Sequence, residues 1–449
     1  MSIRTPPTLL QLAGKRLLRD QALAIAALEY LPAELFPQLF ILAYRRRRHK
    51  ESLKAMAQAW PFTVLPLGGL RHRLRVNILK TVLDGLDVLL AQEVCPRRWK
   101  LRVLDLRNLG ADFWRMWCGD STQEPPPICP VDVHRSSPNI EHPLTPVEVF
   151  LDLNFKERDR DEFFMYVIQW AQQREGLVHL CCKTLRIAAV PFQRVRQVLD
   201  AVQLVCIQEV ELKCTWDLPT LRMFALYLGQ MRNLQKLSLS HIHILGEEEE
   251  VEEQEEDVQE CLKTPLEKFT ISHCRCLTNL DLTHLFLSPH LRQLKSLTLY
   301  CASLADFSPV FLRALLEAVT PPLQALSLDK CAMVDSQVEA ILPVLSRCHQ
   351  LSFFTITQNR LSLATVGKLL RHTAGLRSLE LELYPVPLEC YTTQGTVNME
   401  RLALVRAELT GILRELGKSR MILLVNKHRG YPEYYDVEFS CQLDCSVPL

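Results

Sequence analysis

The sequence predicts an α/β solenoid in which parallel strands form one side and helices the other, preceded by a head made of helices. An aliphatic motif of the form L-x-x-L-x-L, or a degenerate version of it, occurs nine times, and the last eight copies follow one another in steps of 25 to 32 residues. Between copies lie segments whose apolar residues are spaced three and four apart, which is typical of a helix with one buried face. Units of this length that pair a short strand with a helix are typical of leucine-rich repeats, which stack into a horseshoe.

Each copy of the motif predicts one strand. Its alternating part places the aliphatic residues on one face and the residues between them on the other. A single strand cannot bury an apolar face alone, so the repeats must stack. Three residues beyond the strand, Cys274, Cys331 and Asn359 occupy the slot where a small polar side chain satisfies backbone groups of the turn. The second motif position is predicted to be buried in each of eight copies: Leu185, Val210, Leu237, Phe269, Leu297, Leu326, Phe354 and Leu379.

Residues 1–60 are predicted to form the helical head. One helix runs from about residue 8 to residue 18, and Asp20 is positioned to cap a second. A third opens at residues 31–32, where Pro37 should kink or split it. A fourth carries an apolar face that includes Trp60 and stops at Pro61.

Four further regions follow the head. Residues 61–118 predict an N-terminal cap with a helix near residues 73–92 and an isolated, degenerate repeat at Leu101–Leu106, and the sequence leaves open whether that repeat joins the horseshoe. Seven prolines in residues 119–146 predict a linker. Residues 147–400 predict the horseshoe, with an acidic insertion at 247–257 that holds nine acids in eleven positions. Residues 401–449 predict a C-terminal cap made of a helix and an irregular tail.

Composition and charge narrow the class of protein. The start of the sequence has no charged-then-apolar leader, no apolar run reaches the ~18–20 residues that span a bilayer, and the 16 cysteines are scattered. We therefore expect a reduced protein of the cytoplasm or the nucleus, without a membrane partner. Residues 1–118 carry 20 Lys/Arg against nine Asp/Glu, and the remainder carries 32 against 42. This basic head could attract nucleic acid, but no aromatic interleaving accompanies it, so direct nucleic-acid binding is not predicted.

No catalytic constellation is present in the sequence. It contains no phosphate loop, no G-x-S-x-G and no H-E-x-x-H, and its cysteine pairs lack the C-x-x-C spacing of a zinc site. The sequence predicts a non-catalytic binding protein with no cofactor and no metal.

Two short helical patterns in the head predict partner binding. Leu9, Ala13 and Leu17 lie on one helical face after Thr8 and fit the elongin-binding box of ubiquitin-ligase substrate receptors, in which the leucine enters a pocket and the small residue permits close approach. Downstream, a pattern that fits the cullin-2 box is formed by Leu31, Pro32, Leu35 and Leu39.

Two alternatives use the same head residues. The leucines of both boxes could simply pack the head against the first repeat. Leu31-Pro32 with Leu35, Leu39 and the later Trp60 also resembles an F-box, which would bind a Skp-type adaptor and a different cullin.

The second predicted binding surface is the strand face opposite the buried leucines. Short hydroxyl side chains dominate it, and no aromatic anchor stands out. Solenoids use this face to bind proteins, so we expect unknown client proteins there. One residue of each strand represents the predicted client face: Ser238, Thr270, Thr298, Ser327, Thr355 and Glu380.

Several longer strings resemble the PRAME family (preferentially expressed antigen in melanoma). They are residues 22–29 (ALAIAALE) with 31–37, residues 54–62 (KAMAQAWPF), residues 83–93 (LDGLDVLLAQE) and residues 384–389 (YPVPLE). The resemblance covers nearly the whole chain. The acidic insertion, and a linker without a Lys/Arg-rich nuclear signal, indicate a PRAME-like paralogue and not the melanoma antigen itself.

The resemblance implies a leucine-rich-repeat substrate receptor of a cullin-2 ubiquitin ligase, with elongin B/C and cullin-2 as partners. It also implies negative regulation of transcription, differentiation and apoptosis, and promotion of proliferation. The alternative is a nuclear-receptor-type corepressor scaffold without ligase activity. That role uses L-x-x-L-L motifs, and the candidate here is Leu312-x-x-Leu315-Leu316, on a repeat helix whose apolar face is expected to be buried.

Overall fold

The computed structural model describes residues 8–44, 49–70, 76–92, 99–107, 114, 146–156, 162–242, 263–274, 288–305, 307–417, 421–428, 431–437 and 442–443. The predicted linker (apart from Pro146), the acidic insertion and residues 45–48 lie outside these ranges. The chain divides into two compact units. The first comprises residues 1–153, 158–183 and 197–203, and the second comprises residues 154–157, 184–196 and 204–449.

Helices and strands alternate along most of the described chain. The helices are α1 Leu9–Leu17, α2 Gln21–Ala27, α3 Phe36–Tyr44, α4 Lys50–Gln58, α5 Val76–Leu90, α6 Glu162–Gln172, α7 Phe192–Leu199, α8 Leu218–Leu228, α9 Pro309–Val319, α10 Asp335–Leu345, α11 Leu363–Thr373 and α12 Met399–Glu415. The strands are β1 Val64–Leu65, β2 Val103–Asp105, β3 Val147–Phe150, β4 Leu153–Lys156, β5 Val178–Cys181, β6 Thr184–Ala188, β7 Glu209–Lys213, β8 Lys236–Ser240, β9 Lys268–Ser272, β10 Ser296–Tyr300, β11 Ala325–Asp329, β12 Phe353–Thr355, β13 Leu381–Pro385, β14 Met421–His428, β15 Tyr431–Asp436 and β16 Gln442–Leu443. Within the described residues, no helix has both the length and the hydrophobicity to cross a bilayer.

The head forms the helices that the sequence predicts. The Asp20 side chain caps α2 by accepting a hydrogen bond from the Leu23 amide at 3.1 Å. The third predicted helix is split: a 3₁₀ turn at Ala33–Leu35 precedes α3. Pro37 lies in the first turn of α3, where its missing N–H disrupts no helical hydrogen bond.

Aromatic side chains form the core beneath the head. Trp60 is fully buried, and its ring lies edge-on to those of Phe36 and Phe40 at centroid distances of 6.2 and 5.4 Å. The Trp60 indole N–H donates to the Val64 carbonyl at 2.9 Å, so its polar atom is also satisfied. Phe40 in turn stacks on Trp114 at 5.5 Å. Trp60, which is part of the string that resembles an F-box, thus stabilises the core here.

The degenerate repeat at Leu101–Leu106 lies in a separate sheet. Four parallel strands follow one another in the order β1-β2-β3-β5, and Leu104 of β2 pairs with Val149 of β3. Leu101, Leu104 and Leu106 are all buried, as the motif predicts. This repeat therefore belongs to the sheet of the first unit and not to the twelve-stranded sheet.

The twelve-stranded sheet contains the eight regular repeats. Its order runs from β4 through β6 to β16 without a crossover, and β6 to β14 are parallel. The predicted second motif positions pair with one another from Leu185 to Phe354, and each of them is buried. From β10 to β14, strands and α-helices alternate. This confirms the α/β class and is consistent with a leucine-rich-repeat solenoid.

A left-handed residue ends most of these strands. The residue directly after β6, β8, β9, β10 and β11 has a φ between 51° and 58°, and Gln358 has the same conformation at the corner that follows β12. At four of these corners the backbone N–H donates to a carbonyl of the next strand, which extends the ladder by one residue: Ala189, His241, His273 and Cys301. The Lys330 amide donates to the Thr357 carbonyl, just beyond β12. The chain thus turns in the same way at each corner without using glycine there.

The slot beyond the strand works as predicted. The buried Asn359 carboxamide accepts hydrogen bonds from the amides of Cys331 and Met333, at 3.1 and 3.0 Å, and donates to carbonyls of Leu328 and Ile356, at 2.7 and 2.8 Å. The Cys331 thiol instead donates to two carbonyls. Burial raises the pKa of that thiol to about 12, so its role is structural.

The C-terminal region differs from the predicted irregular tail. After α12, which confirms the predicted helix, β14 adds a parallel strand to the sheet, and β15 and β16 follow it antiparallel. The reason is compositional: residues 421–425 are a continuous apolar run, of which Ile422 and Leu424 are buried.

A part-buried ion pair joins α5 to the turn that follows α6. The Arg174 guanidinium contacts the Asp87 carboxylate through two nitrogens, one at 2.6 Å, and Trp170 Nε1 donates to the same carboxylate at 2.9 Å. We expect Asp87→Ala to lower the free energy of unfolding by about 2–3 kcal/mol, because it leaves a part-buried charge and an indole N–H without their acceptor.

A double-mutant cycle of Asp87→Ala with Arg174→Ala should give a coupling energy of about 1–2 kcal/mol in urea unfolding. The exposed pair Lys295–Glu267, at 2.8 Å, is the control, and its coupling should stay below ~0.5 kcal/mol. Equal coupling in the two pairs would contradict the structural role of Asp87.

Candidate functional site

Helix α1 is anchored by one face. The Thr8 hydroxyl caps its start by accepting from the Gln11 amide at 3.2 Å. Gly14 packs on α3 so closely that a Cβ there would lie 2.7 Å from the Leu42 Cδ1. Leu18, at the end of the helix, is buried. The side of α1 that carries Gly14 and Leu18 therefore belongs to the head core.

The predicted elongin-binding residues run from the exposed side of α1 towards its packed side. Leu9 is 84% exposed and Ala13 is exposed, whereas Leu17 is half-buried. Leu9 thus contributes almost nothing to the core, and a leucine next to an alanine on an exposed helical face can enter a partner's apolar pocket.

The predicted cullin-binding residues divide into two groups. Pro32 is exposed and Leu31 and Leu35 are half-buried, around the 3₁₀ turn before α3. Leu39 is 4% exposed and lies against the Gly14 face of α1. Leu39 therefore stabilises the head, but by packing on α1 and not against the first repeat as the packing alternative expects, and only the other three can contact a partner in this conformation.

Sequence reasoning missed an exposed apolar set on and after α2. Leu23 is 56% exposed and Tyr30 is 82% exposed, whereas Ala24 is the buried residue of this helix. The sequence did contain a signal for these exposed residues. The string ALAIAALE has apolar residues on every side of the helix, so a seven-residue helix that buries one face must expose apolar residues on the others.

The second candidate surface is the open face of the twelve-stranded sheet, defined as the residues that alternate with the buried ones on β6 to β14. Five of the predicted client residues stand opposite one another here, on consecutive strands: Ser238, Thr270, Thr298, Ser327 and Thr355. Four of them are half-buried, and Thr355 is 3% exposed because its hydroxyl donates to Asp329.

Glu380, the sixth predicted client residue, lies before its strand. The register pairs Phe354 with Glu382 and Thr355 with Leu383, so Leu383 holds the place on the open face that was assigned to Glu380. The second motif position of this repeat, which is buried, is therefore Glu382 and not Leu379. The last two second positions, residues 354 and 382, are 28 residues apart. The prediction was wrong because Leu379, which is 3% exposed, occupies the first leucine position of the motif and not the second.

Glu382 is 1% exposed in a position that holds an aliphatic or aromatic residue in the seven preceding repeats. Its carboxyl group accepts hydrogen bonds from the Tyr384 hydroxyl at 2.5 Å and from the Thr373 hydroxyl at 2.9 Å. These donors offset the cost of burying the group. Glu382 is therefore a structural residue and is not accessible to a client.

Two further features that the sequence raised were an L-x-x-L-L string and possible metal ligands. In the L-x-x-L-L string, Leu312 and Leu316 are each 1% exposed and face the core. Among the residues that the structure describes, no cluster of three or more His, Cys, Asp or Glu could hold a metal ion.

Comparison with known proteins gives matches along most of the chain. Residues 6–114 match the PRAME N-terminal domain, and residues 147–256 and 248–445 match the PRAME C-terminal domain. The chain is 45% identical over 455 residues to human PRAME family member 12, covering 94% of this chain and 93% of that protein. It is also 45% identical over 474 residues to human PRAME family member 20, covering 98% and 99% of the two chains. The candidate surfaces of α1 and of the open face both fall within the matched ranges.

Proposed function

This chain belongs to the PRAME family, and from that premise we propose that it is the non-catalytic substrate-recognition adaptor of a cullin-2 RING ubiquitin ligase. In this role the head binds elongin B/C and cullin-2, and the open face binds client proteins. Both the N-terminal and the C-terminal domain of the family are present in one chain, as an adaptor that links a scaffold to a client requires.

The observation that carries the proposal is the exposure of Leu9. Helix α1 is fixed to the head through Gly14 and Leu18, yet it leaves Leu9 84% exposed. Exposing a large aliphatic side chain at the start of an anchored helix has no benefit for folding, whereas it suits a helix that inserts a side chain into a partner.

We expect Leu9→Asp to weaken capture of purified elongin B/C by about 100-fold, the range of a binding hot spot. The substitution should leave the fold intact, because Leu9 is the first residue of α1 and an acidic side chain in the first turn is favourable to the helix dipole. Isothermal titration calorimetry gives the affinity, and circular dichroism checks the fold.

Leu404→Asp is the matched control. Leu404 is 72% exposed on α12, so the same substitution is made at a comparable exposed leucine of the second unit, and elongin affinity should not change. Normal capture by Leu9→Asp would refute the elongin assignment. Capture of a Skp-type adaptor in place of elongin B/C would favour the F-box alternative.

The structure argues for point substitutions over removal of residues 1–60. Such a truncation would take Phe36, Phe40 and Trp60 out of the core of the first unit. A loss of binding would then report unfolding as well as loss of the docking helix.

A further inference from the structure

The open face changes in character along the sheet. One continuous row of paired residues crosses six strands, from β9 to β14: Lys268, Ser296, Ala325, Phe353, Leu381 and Met421. In this direction the row runs from a cation through two small side chains to three large apolar ones; on the other side of Lys268 it continues to Lys236 and Glu209. The open face is therefore not uniformly lined by hydroxyl side chains: it has a cationic end and an apolar end.

The cationic end has an unused positive charge. On the neighbouring strands, Arg186 pairs with Glu211 at 3.1 Å, and Lys236 pairs with Glu209. Lys268 is exposed and forms no ion pair with any residue that the structure describes. The basic and acidic groups on β6 to β8 largely neutralise one another, so Lys268 is left to attract an anionic group of a partner.

The acid farther along the same face is not available to compensate Lys268. The carboxylate of Asp329 accepts hydrogen bonds from the Ser327, Thr355 and Thr357 hydroxyls, at 2.7, 2.6 and 2.8 Å, and from the Thr357 amide at 2.6 Å. Its acceptor sites are thus occupied by β11 and by the strand next to it. Among the described residues, Asp329 therefore does not form an ion pair with Lys268.

The apolar end is accessible. Met421 is 56% exposed, and Phe353 and Leu381 are half-buried, although all three stand in register on adjacent strands. Leu383 adds a fourth half-buried apolar side chain in the next row. Together they form an apolar patch that a partner's aliphatic or aromatic side chain can cover.

The distance between the two ends determines how far apart the acidic and the apolar side chains of a ligand must be. Parallel strands lie about 4.8 Å apart, so Lys268 and Phe353, three strands apart, are separated by roughly 14 Å. An extended chain advances about 3.3 Å per residue and covers that distance in about four to five residues. Ser296 and Ala325, between the two ends, are small enough to let the backbone of such a chain pass.

We propose that the open face binds an extended protein segment that places a carboxylate on Lys268 and, about four to seven residues away, apolar side chains on Phe353, Leu381 and Met421, the last of which lies five strands and roughly 24 Å from Lys268. That this segment belongs to a ubiquitination client rests on the proposed function, but the binding itself does not.

The test is selection from a random dodecapeptide library displayed on phage against the immobilised full chain. We expect the enriched peptides to share Asp or Glu about four to seven positions from one or more large apolar residues. A synthetic, fluorescein-labelled copy of the most enriched peptide then gives affinities by fluorescence polarisation.

Three variants test the assignment. Lys268→Glu should weaken the acidic peptide about tenfold or more, and Met421→Ser should weaken it about tenfold through lost apolar contact. Lys50→Glu makes the same charge change at an exposed lysine of the head and should have no effect. All three residues are exposed, so the thermal unfolding temperature should stay unchanged in each variant.

Several outcomes would overturn the proposal. They are no enrichment at all, enriched peptides without acids, or unchanged affinity in Lys268→Glu. If light scattering showed a dimer that Met421→Ser dissociates, the apolar patch would be an interface between copies of this chain. Elongin capture separates the two proposals: if wild type captures no elongin B/C but enriches the expected peptides, only the adaptor proposal fails.

Discussion

Trp60→Ala is expected to lower the free energy of unfolding by about 3–5 kcal/mol, the range for deleting a large buried aromatic side chain. Trp60 is fully buried and contacts Phe36, Phe40 and Phe62 through edge-on ring pairs. The substitution removes these contacts, leaves a cavity and deprives the Val64 carbonyl of its donor. Since domains are stable by only about 5–15 kcal/mol, the helical head should lose much of its order at ambient temperature.

Urea unfolding followed by near-ultraviolet circular dichroism measures this loss. Trp60→Phe keeps a ring in the site and should cost much less, about 1–2 kcal/mol. Tyr30→Ala removes an aromatic side chain that is 82% exposed and should stay within about 0.5 kcal/mol of wild type. A loss below ~1 kcal/mol for Trp60→Ala would mean that Trp60 does not hold the head together.

Asn359→Ala is expected to lower the free energy of unfolding by about 2–4 kcal/mol, because its carboxamide satisfies buried backbone groups on both sides of a repeat boundary. The amides of Cys331 and Met333 would lose their acceptor, and the carbonyls of Leu328 and Ile356 would lose a donor. No water can replace the side chain without entering the core between two repeats.

The equivalent slot suggests an informative second variant. Asn359→Cys supplies a thiol donor, as Cys331 does one repeat earlier, but no strong acceptor for the two amides, so its loss should be intermediate. Asn233→Ala is the matched control, since this exposed side chain makes a single hydrogen bond to the Val205 carbonyl. If Asn359→Ala unfolded at the same urea concentration as Asn233→Ala, the slot would not bear on stability.

The repeats were predictable from the sequence because their physics is local and periodic. An aliphatic or aromatic side chain at each second position fixes which face of the strand is buried, so the register follows from Leu185 to Phe354 without knowledge of the fold. The Asp20 cap was equally visible, because a short polar side chain before an apolar helix commonly caps it.

The last repeat was not predictable in the same way. Leu376, Leu379 and Leu381 reproduce the motif perfectly, but three residues too early, and the buried position falls on Glu382. A buried carboxyl group is tolerated only because Thr373 and Tyr384 supply donors, and this tertiary compensation leaves no trace in local hydrophobicity.

The binding surfaces were predictable in part. Pattern alone placed Leu9 and Ala13 on one face of α1, but it could not tell Leu9 from Leu39, since both are leucines of amphipathic helices. What separates them is Gly14, which draws α3 against α1 and thereby buries Leu39. The apolar end of the open face escaped notice because Phe353, Leu381 and Met421 come together only through pairing of distant strands.

The left-handed corners that follow the strands have a practical consequence for measuring this protein. Ala189, His241, His273, Lys330 and Gln358 share one backbone geometry, although their side chains have little in common, so the turn does not depend on what the side chain is. An unbranched replacement such as cysteine should be accepted there, as Cys301 already shows, whereas a β-branched residue would be strained at positive φ. Neighbouring corners lie about one strand spacing, ~4.8 Å, apart. Pairs of spin labels or fluorophores attached at these positions would therefore be regularly spaced along one edge of the sheet. Changes in the distances between them would measure how the sheet bends when a ligand binds.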